Sequence, residues 1–167
     1  MARIFVPPAW PDYTLGLSQR QCVFLAGTIE MGNSPDWQAD VIKAIQNYNV
    51  IVFNPRRVLP PDGEDEITKQ INWELEGLDV SKTVYLHFCA NTISPISLYE
   101  LGLLQSRGNN TRIIIYCDKE YTRRLNVLTT TNHQAWRSPH IEVYDNYEKS
   151  IKALKNRLDM VTLRKNL

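Results

Sequence analysis

Glu100 is the residue of this sequence best placed to carry out chemistry. It follows an apolar run of strand length, Thr83–Phe88, at the start of a predicted helix. Ligands of open parallel sheets bind outside the carboxyl ends of the strands, so a carboxylate at this junction can face a ligand. Ser97 and Glu100 also match a capping box, which would make Glu100 a helix cap, the commoner role. Alternatively, Ser94 and Pro95 form the N-cap and first helical residue, and Glu100 then lies in the second turn, beyond capping reach.

Glu74 is a second carboxylate in an unusual position. It shares one stripe of a predicted helix with Ile67, Ile71 and Leu78, and it is the only polar member of that stripe. A carboxylate at the edge of a buried stripe is usually solvated or paired. The alternative, given about equal weight, is that Glu74 points into a cleft beside Glu100.

The loop after the first predicted strand begins with Gly27, Thr28 and Ile29. Glycine at this place would let a ligand approach the backbone closely. The loop is neither a P-loop nor a dinucleotide-binding fingerprint, because the Gly-Lys-Ser/Thr ending and the Gly-x-Gly-x-x-Gly spacing are both missing. After the next strand, Arg56 and Arg57 could bind a phosphate, although a solvated basic turn is the commoner explanation.

The elements that must position these residues predict a single-domain α/β fold. Apolar runs of strand length alternate with segments of helical period, which is typical of βαβ units. The predicted strands are Cys22–Ala26, Val50–Asn54, Thr83–Phe88, Arg112–Cys117 and Ile141–Tyr144. This alternation favours a flavodoxin-like or Rossmann-like, doubly wound parallel sheet of five strands with helices on both faces. Right-handed crossovers would place the ligand cleft near the ends of the first and third strands.

Helices are predicted in four segments. The first follows Ser34, a good N-cap, and Pro35, a good first helical residue. The others run over about residues 65–79, 95–106 and 147–161. The α/β domain is expected to span residues 21–162. Residues 1–20 would form an arm laid over the domain or a neighbouring subunit, and residues 163–167 a short tail.

The composition excludes several classes of partner. The chain has 167 residues, enough for one domain with a real core. Its 19 basic and 18 acidic residues nearly balance, so neither a nucleic acid polymer nor a membrane is an expected partner. The sequence has no apolar stretch of membrane-spanning length and no signal-peptide layout, so the cytoplasm is the expected location.

The cysteines and histidines predict no metal site and no cofactor. Cys22, Cys89 and Cys117 are widely spaced, and each lies in or beside an apolar run, so buried reduced thiols are expected. The three histidines are equally dispersed and form no metal-binding pattern.

Three segments resemble the nucleoside 2-deoxyribosyltransferase superfamily. They are Phe-Leu-Ala-Gly-Thr-Ile from Phe24, Asn-Trp-Glu-Leu-Glu-Gly-Leu from Asn72 and Tyr-Glu-Leu-Gly from Tyr99, in the family's order and at suitable distances. The resemblance covers about residues 22–128. It implies a transferase of nucleotide salvage that exchanges the base of 2′-deoxyribonucleosides, or of their 5′-monophosphates. Glu100 would be the nucleophile that attacks C1′ and forms a covalent glycosyl-enzyme.

The resemblance implies roles for further residues. Glu74 falls where the family carries an acidic residue beside the base and sugar, and it would exchange a proton with the base. Asn126 matches a position that contacts a sugar hydroxyl across a subunit interface, which implies a homo-oligomer with shared active sites. The other substrate-binding residues implied are Gly27, Thr28, Ile29, Ser94 and Ser97.

Ser94 departs from the transferase pattern, which commonly has an Asp six residues before the nucleophile to hold the sugar hydroxyl. A Ser resembles the nucleotide-specific N-glycosidase branch, where a neutral hydroxyl tolerates a 5′-phosphate. An aromatic hydroxyl near the start of the first strand is also missing, since Val23 and Phe24 stand there. Two alternatives therefore stay open: a hydrolytic nucleotide N-glycosidase that uses the same Glu100, and a nucleotide-binding module without turnover.

Overall fold

The fold is a parallel sheet covered by helices on both faces. A computed structural model describes residues 1–12, 21–106, 111–134 and 140–165, except the side chains of Met31, Gln134 and residues 161–165. Within these ranges the strands are β1 Arg3–Phe5, β2 Gln21–Gly27, β3 Val50–Phe53, β4 Thr83–Phe88, β5 Arg112–Cys117 and β6 Ile141–Tyr144. The helices are α1 Trp37–Ile45, α2 Gly63–Val80, α3 Pro95–Ser106, α4 Arg124–Gln134 and α5 Tyr147–Lys165, with a 3-10 turn at Glu30–Gly32.

The sheet has the predicted doubly wound architecture but six strands instead of five. Strands β2 to β6 are the predicted five, and they run in the order β3-β2-β4-β5-β6, the order of flavodoxin-like sheets. The sixth strand, β1, pairs in parallel with β3 at the edge of the sheet. It lies in the segment expected to be an arm, of which residues 13–20 are outside the described ranges. A strand of only three residues shows no alternation of apolar and polar residues, which is why the sequence did not predict it.

The layers are built by two groups of helices. Trp37, Val41 and Ile45 of α1 pack with α5 against one face of the sheet. On the other face, α2, α3 and α4 pack over strand residues such as Phe24 and Leu86. The central strands β2 to β5 are largely buried on both faces and read as continuous apolar runs, and this is why their bounds were predicted to within one residue.

Two helix starts and one whole helix differ from the predictions. Helix α1 begins at Trp37 rather than after Ser34, because Asp36 is its N-cap and accepts a hydrogen bond from Ala39 N. Helix α2 begins at Gly63 instead of residue 65. Helix α4 was not predicted: it buries Val127 and Thr131, so it offers almost no apolar stripe to detect.

The predicted apolar stripe of α2 is buried only at its carboxyl-terminal end. Leu78 is buried, as are Trp73 and Gly77, whereas Ile67 and Ile71 are exposed. The expectation of a continuous buried stripe is therefore wrong. A helix-period pattern shows that a face is apolar but not what covers it.

Two further findings concern the chain as a whole. Cys22, Cys89 and Cys117 are buried free thiols, as predicted. No helix in the described ranges combines the length and the apolar character needed to cross a membrane.

Candidate active site

A cavity of about 420 Å³ lies where the sequence predicted the ligand cleft, at the carboxyl ends of neighbouring strands β2 and β4. Its walls come from the loops after β2 and β3, from α2, and from the first two turns of α3. Of the predicted site residues, the cavity is lined by Gly27, Thr28, Ile29, Glu74, Ser94, Ser97 and Glu100. Seven of the eight residues singled out by sequence thus meet in one place, although they span more than 70 positions of the chain.

Helix α3 presents Glu100 to the cavity from its second turn. The helix begins at Pro95, and Leu98 N donates a hydrogen bond of 3.1 Å to Ser94 O. Ser97 is therefore inside the helix, and the capping box of Ser97 with Glu100 does not form. Glu100 is 9% exposed, and no described residue donates a hydrogen bond to its carboxylate. A buried carboxylate without a capping partner is available for other chemistry.

The two carboxylates of the cavity influence each other's protonation. Burial, and then the charge of Glu74, raise the pKa of Glu100 from 4.5 to about 8. Burial also raises the pKa of Glu74, and this effect is opposed by a hydrogen bond from Gln70. Both shifts favour the protonated form, so simultaneous ionisation of the two buried carboxyls is costly. A carboxylate and a carboxylic acid in one cavity are the groups that glycosidic bond cleavage uses.

Hydroxyl groups close the end of the cavity near Ser94. Cys89 N donates to Thr28 Oγ1 at 3.1 Å, and Thr92 Oγ1 donates to Cys89 O at 2.9 Å. Ser94 Oγ lies between the two threonines, 2.6 Å from Thr28 Oγ1 and 3.1 Å from Thr92 Oγ1. The only hydroxyl proton of Thr92 goes to Cys89 O, so Ser94 must donate to Thr92. Thr28, which accepts from Cys89 N, must in turn donate to Ser94.

In this hydrogen-bond network Ser94 Oγ accepts one hydrogen bond and donates one, which leaves it a second lone pair as an acceptor. Rotation about its C–O bond can redirect the hydroxyl proton. Ser94 can accept a hydrogen bond from a sugar hydroxyl without losing a partner. It can also donate to a phosphate oxygen if it releases Thr92. The backbone of Ser94 has a positive φ of 45°, which is uncommon for a residue with a side chain and holds the hydroxyl at the junction of β4 and α3.

Gly27 is required where the loop leaves β2. Its φ is +141°, and a Cβ atom here would lie 2.3 Å from His87 O and 2.7 Å from His87 N. Only a residue without a side chain allows β2 to approach β4 so closely at this point. Thr28 is fixed directly afterwards, because its backbone N donates to His87 O and its carbonyl accepts from Trp37 Nε1 at 2.7 Å.

Arg56 does not line the cavity and is not placed to bind a phosphate there; it joins two loops of the cleft instead. Its guanidinium donates to the carbonyls of Gly32 and Ser34 at 2.9 Å and of Pro35 at 3.1 Å. It also approaches the Asp36 carboxylate at 3.9 Å. The alternative of a solvated basic turn does not apply to Arg56 either. This set of contacts fixes the loop after β3 against the loop after β2.

Two further polar side chains line the cavity, those of Arg57, which the sequence offered only as a possible phosphate ligand, and of Gln70, which it did not single out. Arg57 lines the cavity and forms an ion pair of 3.4 Å with Glu66. Gln70 lines it one turn before Glu74 and donates to that carboxylate. The spacing of four residues to Glu74 was the available signal, but glutamine at such a spacing is common on solvated helices.

Asn126 is the predicted site residue that lies elsewhere. It is exposed on α4 and borders a different cavity, of about 340 Å³, together with Leu98, Gly102 and Arg123. Within one protomer, Asn126 does not line the cleft that holds Glu100.

Comparison with known proteins identifies one family. The sequence model of the family described as nucleoside 2-deoxyribosyltransferase like matches residues 20–121, more than half of the chain. The matched segment contains the loop at Gly27 and both carboxylates, and it ends before Asn126. No curated protein matches the chain.

Proposed function

Because the chain belongs to the nucleoside 2-deoxyribosyltransferase-like family, we propose that it exchanges the base of 2′-deoxyribonucleosides through a covalent intermediate on Glu100. The observation that carries the proposal is the carboxylate pair: Glu100 and Glu74 line one cavity, and burial together with the charge of Glu74 raises the pKa of Glu100. The proposed substrates include both nucleosides with a free 5′-hydroxyl and their 5′-monophosphates. Its place would be the salvage of nucleosides in the cytoplasm.

In the first step, a carboxylate oxygen of Glu100 attacks C1′ and forms a C–O bond, while the bond from C1′ to the base nitrogen breaks. The departing base takes a proton from Glu74, so no unstabilised anion forms. The reactive form of the pair therefore has an ionised Glu100 and a proton on Glu74, although burial and the charge of Glu74 favour protonation of Glu100 before the substrate binds. An ionised Glu100 also stabilises the positive charge that develops on the sugar.

In the second step, a new base attacks C1′ of the glycosyl-enzyme and displaces Glu100. Glu74, now ionised, accepts the proton that the incoming base loses on bonding. Both carboxylates return to their starting forms. Two displacements at C1′ retain its configuration, as in retaining glycosidases.

The second candidate is a hydrolytic N-glycosidase of deoxynucleotides. The observation that favours it is the uncharged hydrogen-bond network at Ser94, which can turn a proton towards a 5′-phosphate, whereas a carboxylate there would repel one. In this case water instead of a base attacks the glycosyl-enzyme, and Glu74 accepts its proton.

We also propose a homo-oligomer in which Asn126 completes the site of a neighbouring subunit. Exposed apolar side chains lie on α2, on α3 and on the loop between β3 and α2. They are Val58, Ile67, Ile71, Leu75, Ile96 and Tyr99. Two of them, Val58 and Ile96, also line the cavity, so the exposed apolar surface continues into the site. Surfaces of this kind are typical of protein interfaces.

Replacement of Glu100 tests the proposal. The wild-type protein and the Glu100→Ala and Glu100→Gln variants are each incubated with deoxynucleosides and a second base, and products are separated by chromatography. We expect base exchange by the wild type and a loss of at least about 10³-fold in both variants, because no other group can form the intermediate. Glu76→Gln, an exposed carboxylate on α2, is the matched control.

The same assay separates the candidates. Incubation of a deoxynucleoside and its 5′-monophosphate without an acceptor base releases free sugar or sugar phosphate only if water captures the intermediate. Base exchange that persists in the Glu100 variants would contradict both candidates, and binding without release of any base would support the module without turnover.

A further inference from the structure

Gln70 bridges the acid–base carboxylate to the wall of the cavity. Its amide nitrogen donates a hydrogen bond of 2.9 Å to Glu74 Oε1 and one of 3.3 Å to the carbonyl of Pro55. Glu74 is one turn further along α2, and Pro55 is buried at the start of the loop after β3. The contact therefore connects two walls of the same cavity.

The orientation of this amide is fixed by its partners. Both hydrogens on the nitrogen have an acceptor, and a flipped amide would point its oxygen at a carbonyl and a carboxylate. In the observed orientation, Gln70 Oε1 is buried and has no hydrogen-bond partner among the described residues. An unpaired buried acceptor costs free energy, and a leucine of similar size would avoid that cost. Packing alone therefore does not explain an amide at this position.

We propose that Gln70 is a positioning residue for Glu74: it holds Oε1 and leaves Oε2 to exchange the proton with the base. The inference rests on the proposed function, in which Glu74 is the acid and base. By donating to one oxygen, the amide also stabilises the ionised form of Glu74, the form that the second step needs. Gln70 itself does not have to touch the substrate.

Charged groups of several elements surround this contact. Glu100 faces Glu74 from α3, and Arg57 lines the cavity from the loop after β3. Glu66, one turn before Gln70 on α2, is paired with Arg57, and Glu30 lines the cavity from the loop after β2. Burial raises the pKa of Glu74 and the bond from Gln70 opposes that rise. Removal of the amide is therefore expected to raise the pKa of Glu74 further.

The test compares Gln70→Leu and Gln70→Asn with the wild-type protein. Asn keeps the amide but is one methylene too short to reach both partners, so it reports on positioning even if Leu disturbs folding. The matched control is Gln46→Leu, an exposed glutamine at the carboxyl-terminal end of α1. Folding of every variant is verified by circular dichroism and thermal unfolding.

We expect both Gln70 variants to lower kcat about 10-fold to 100-fold with KM changed less than about 3-fold, as for a misplaced catalytic group. In Gln70→Leu, both limbs of the pH–rate profile should move to higher pH, because Glu74 then holds its proton more tightly. An unchanged kcat, or a lower kcat with an unmoved profile, would overturn the inference.

A carboxyl-carbon NMR titration of Glu74 separates this inference from the proposed function. If the wild-type protein proves to have no Glu100-dependent base exchange, the proposed function fails. A higher pKa of Glu74 in Gln70→Leu than in the wild type would still support control of Glu74 by Gln70. An unchanged pKa would overturn that control whatever the activity.

Discussion

The two carboxylates of the cleft differ in how much water reaches them, and the difference suits them to different tasks. Glu100 is buried and has no hydrogen-bond donor among the described residues, so its ionised form is poorly stabilised and reactive. Glu74 is half-buried and holds a bond from Gln70, so it can change its protonation state at lower cost. Buried carboxylates with raised pKa values are typical of catalytic acids and bases.

Glu74→Gln is expected to separate proton donation from nucleophilic attack. It removes the acid, and it also removes the charge that raises the pKa of Glu100, so the nucleophile is ionised more readily at neutral pH. Exchange of the base of deoxyguanosine should therefore fall roughly 100-fold or more, through loss of the acid alone. An N7-methylated deoxyguanosine already carries the positive charge that protonation supplies, so its base should be released with a loss of less than about 10-fold.

Initial rates of base release on the two substrates check this prediction. The control is Glu76→Gln on the same helix, whose side chain is exposed and outside the cleft. Equal losses on both substrates would show that Glu74 acts on the sugar or on folding, and not as the acid.

Sequence could predict the carboxylates but not the residues that hold them in place. Glu100 follows a buried strand and Glu74 breaks a helical stripe, and both are patterns within a few residues. Arg56 contacts carbonyls more than 20 positions earlier in the chain, and Gln70 contacts the carbonyl of Pro55. Hydrogen bonds from side chains to distant backbone atoms leave no periodic signal, so they become visible only in the folded chain.

The element that most constrains the site is the end of β2 where it meets β4. Gly27, Thr28 and Trp37 together hold the loop that forms one wall of the cavity. The approach of the two backbones at Gly27 and His87 leaves no room for a methyl group.

Gly27→Ala should destabilise the protein by about 2–4 kcal/mol, because the new Cβ meets backbone atoms and the positive φ is unfavourable with a side chain. Urea unfolding measures the change through a lower midpoint. The matched control is Gly102→Ala in α3, where no described atom lies within 4 Å of the new Cβ. Alanine is the better helix former, so this variant should be as stable as the wild type or more stable by up to about 1 kcal/mol. A Gly27→Ala midpoint equal to that of the wild type would refute the close approach.

The sequence predicted the elements well where most of their side chains are buried, and poorly where few of them are. Strands β2 to β5 are largely buried on both faces, and their apolar runs define them. The edge strand β1 and helix α4 bury few side chains each, so neither gave a pattern. Helix α2 gave a clear pattern, but Ile67 and Ile71 of its apolar stripe are exposed, because an apolar pattern does not show what covers that face.

At the scale of the molecule, the exposed apolar surface and the position of Asn126 support the same proposal. Ile67, Ile71 and Leu75 recur at intervals of four residues and would otherwise face water along the side of α2. Asn126 stands away from the cleft of its own protomer. An assembly of two copies explains both features if each copy covers the apolar surface of the other and contributes Asn126 to its site.

Mixed assemblies of two inactive variants test this arrangement. Glu100→Ala lacks the nucleophile, and Asn126→Ala lacks the contact that we place in the neighbouring site. In a mixed dimer, one site would lack both residues and the other would be intact. Co-expression with two different affinity tags should therefore restore activity in about a quarter of all sites, since half of randomly formed dimers are mixed.

Purification through both tags isolates the mixed dimers, in which base exchange should reach about half of the wild-type rate per dimer. Light scattering on each variant checks that Asn126→Ala still assembles, so that a loss of activity cannot come from dissociation. If the doubly tagged assembly is no more active than Asn126→Ala alone, Asn126 does not act in a neighbouring site. A full rate for Asn126→Ala by itself would show that the substrate does not need this side chain at all.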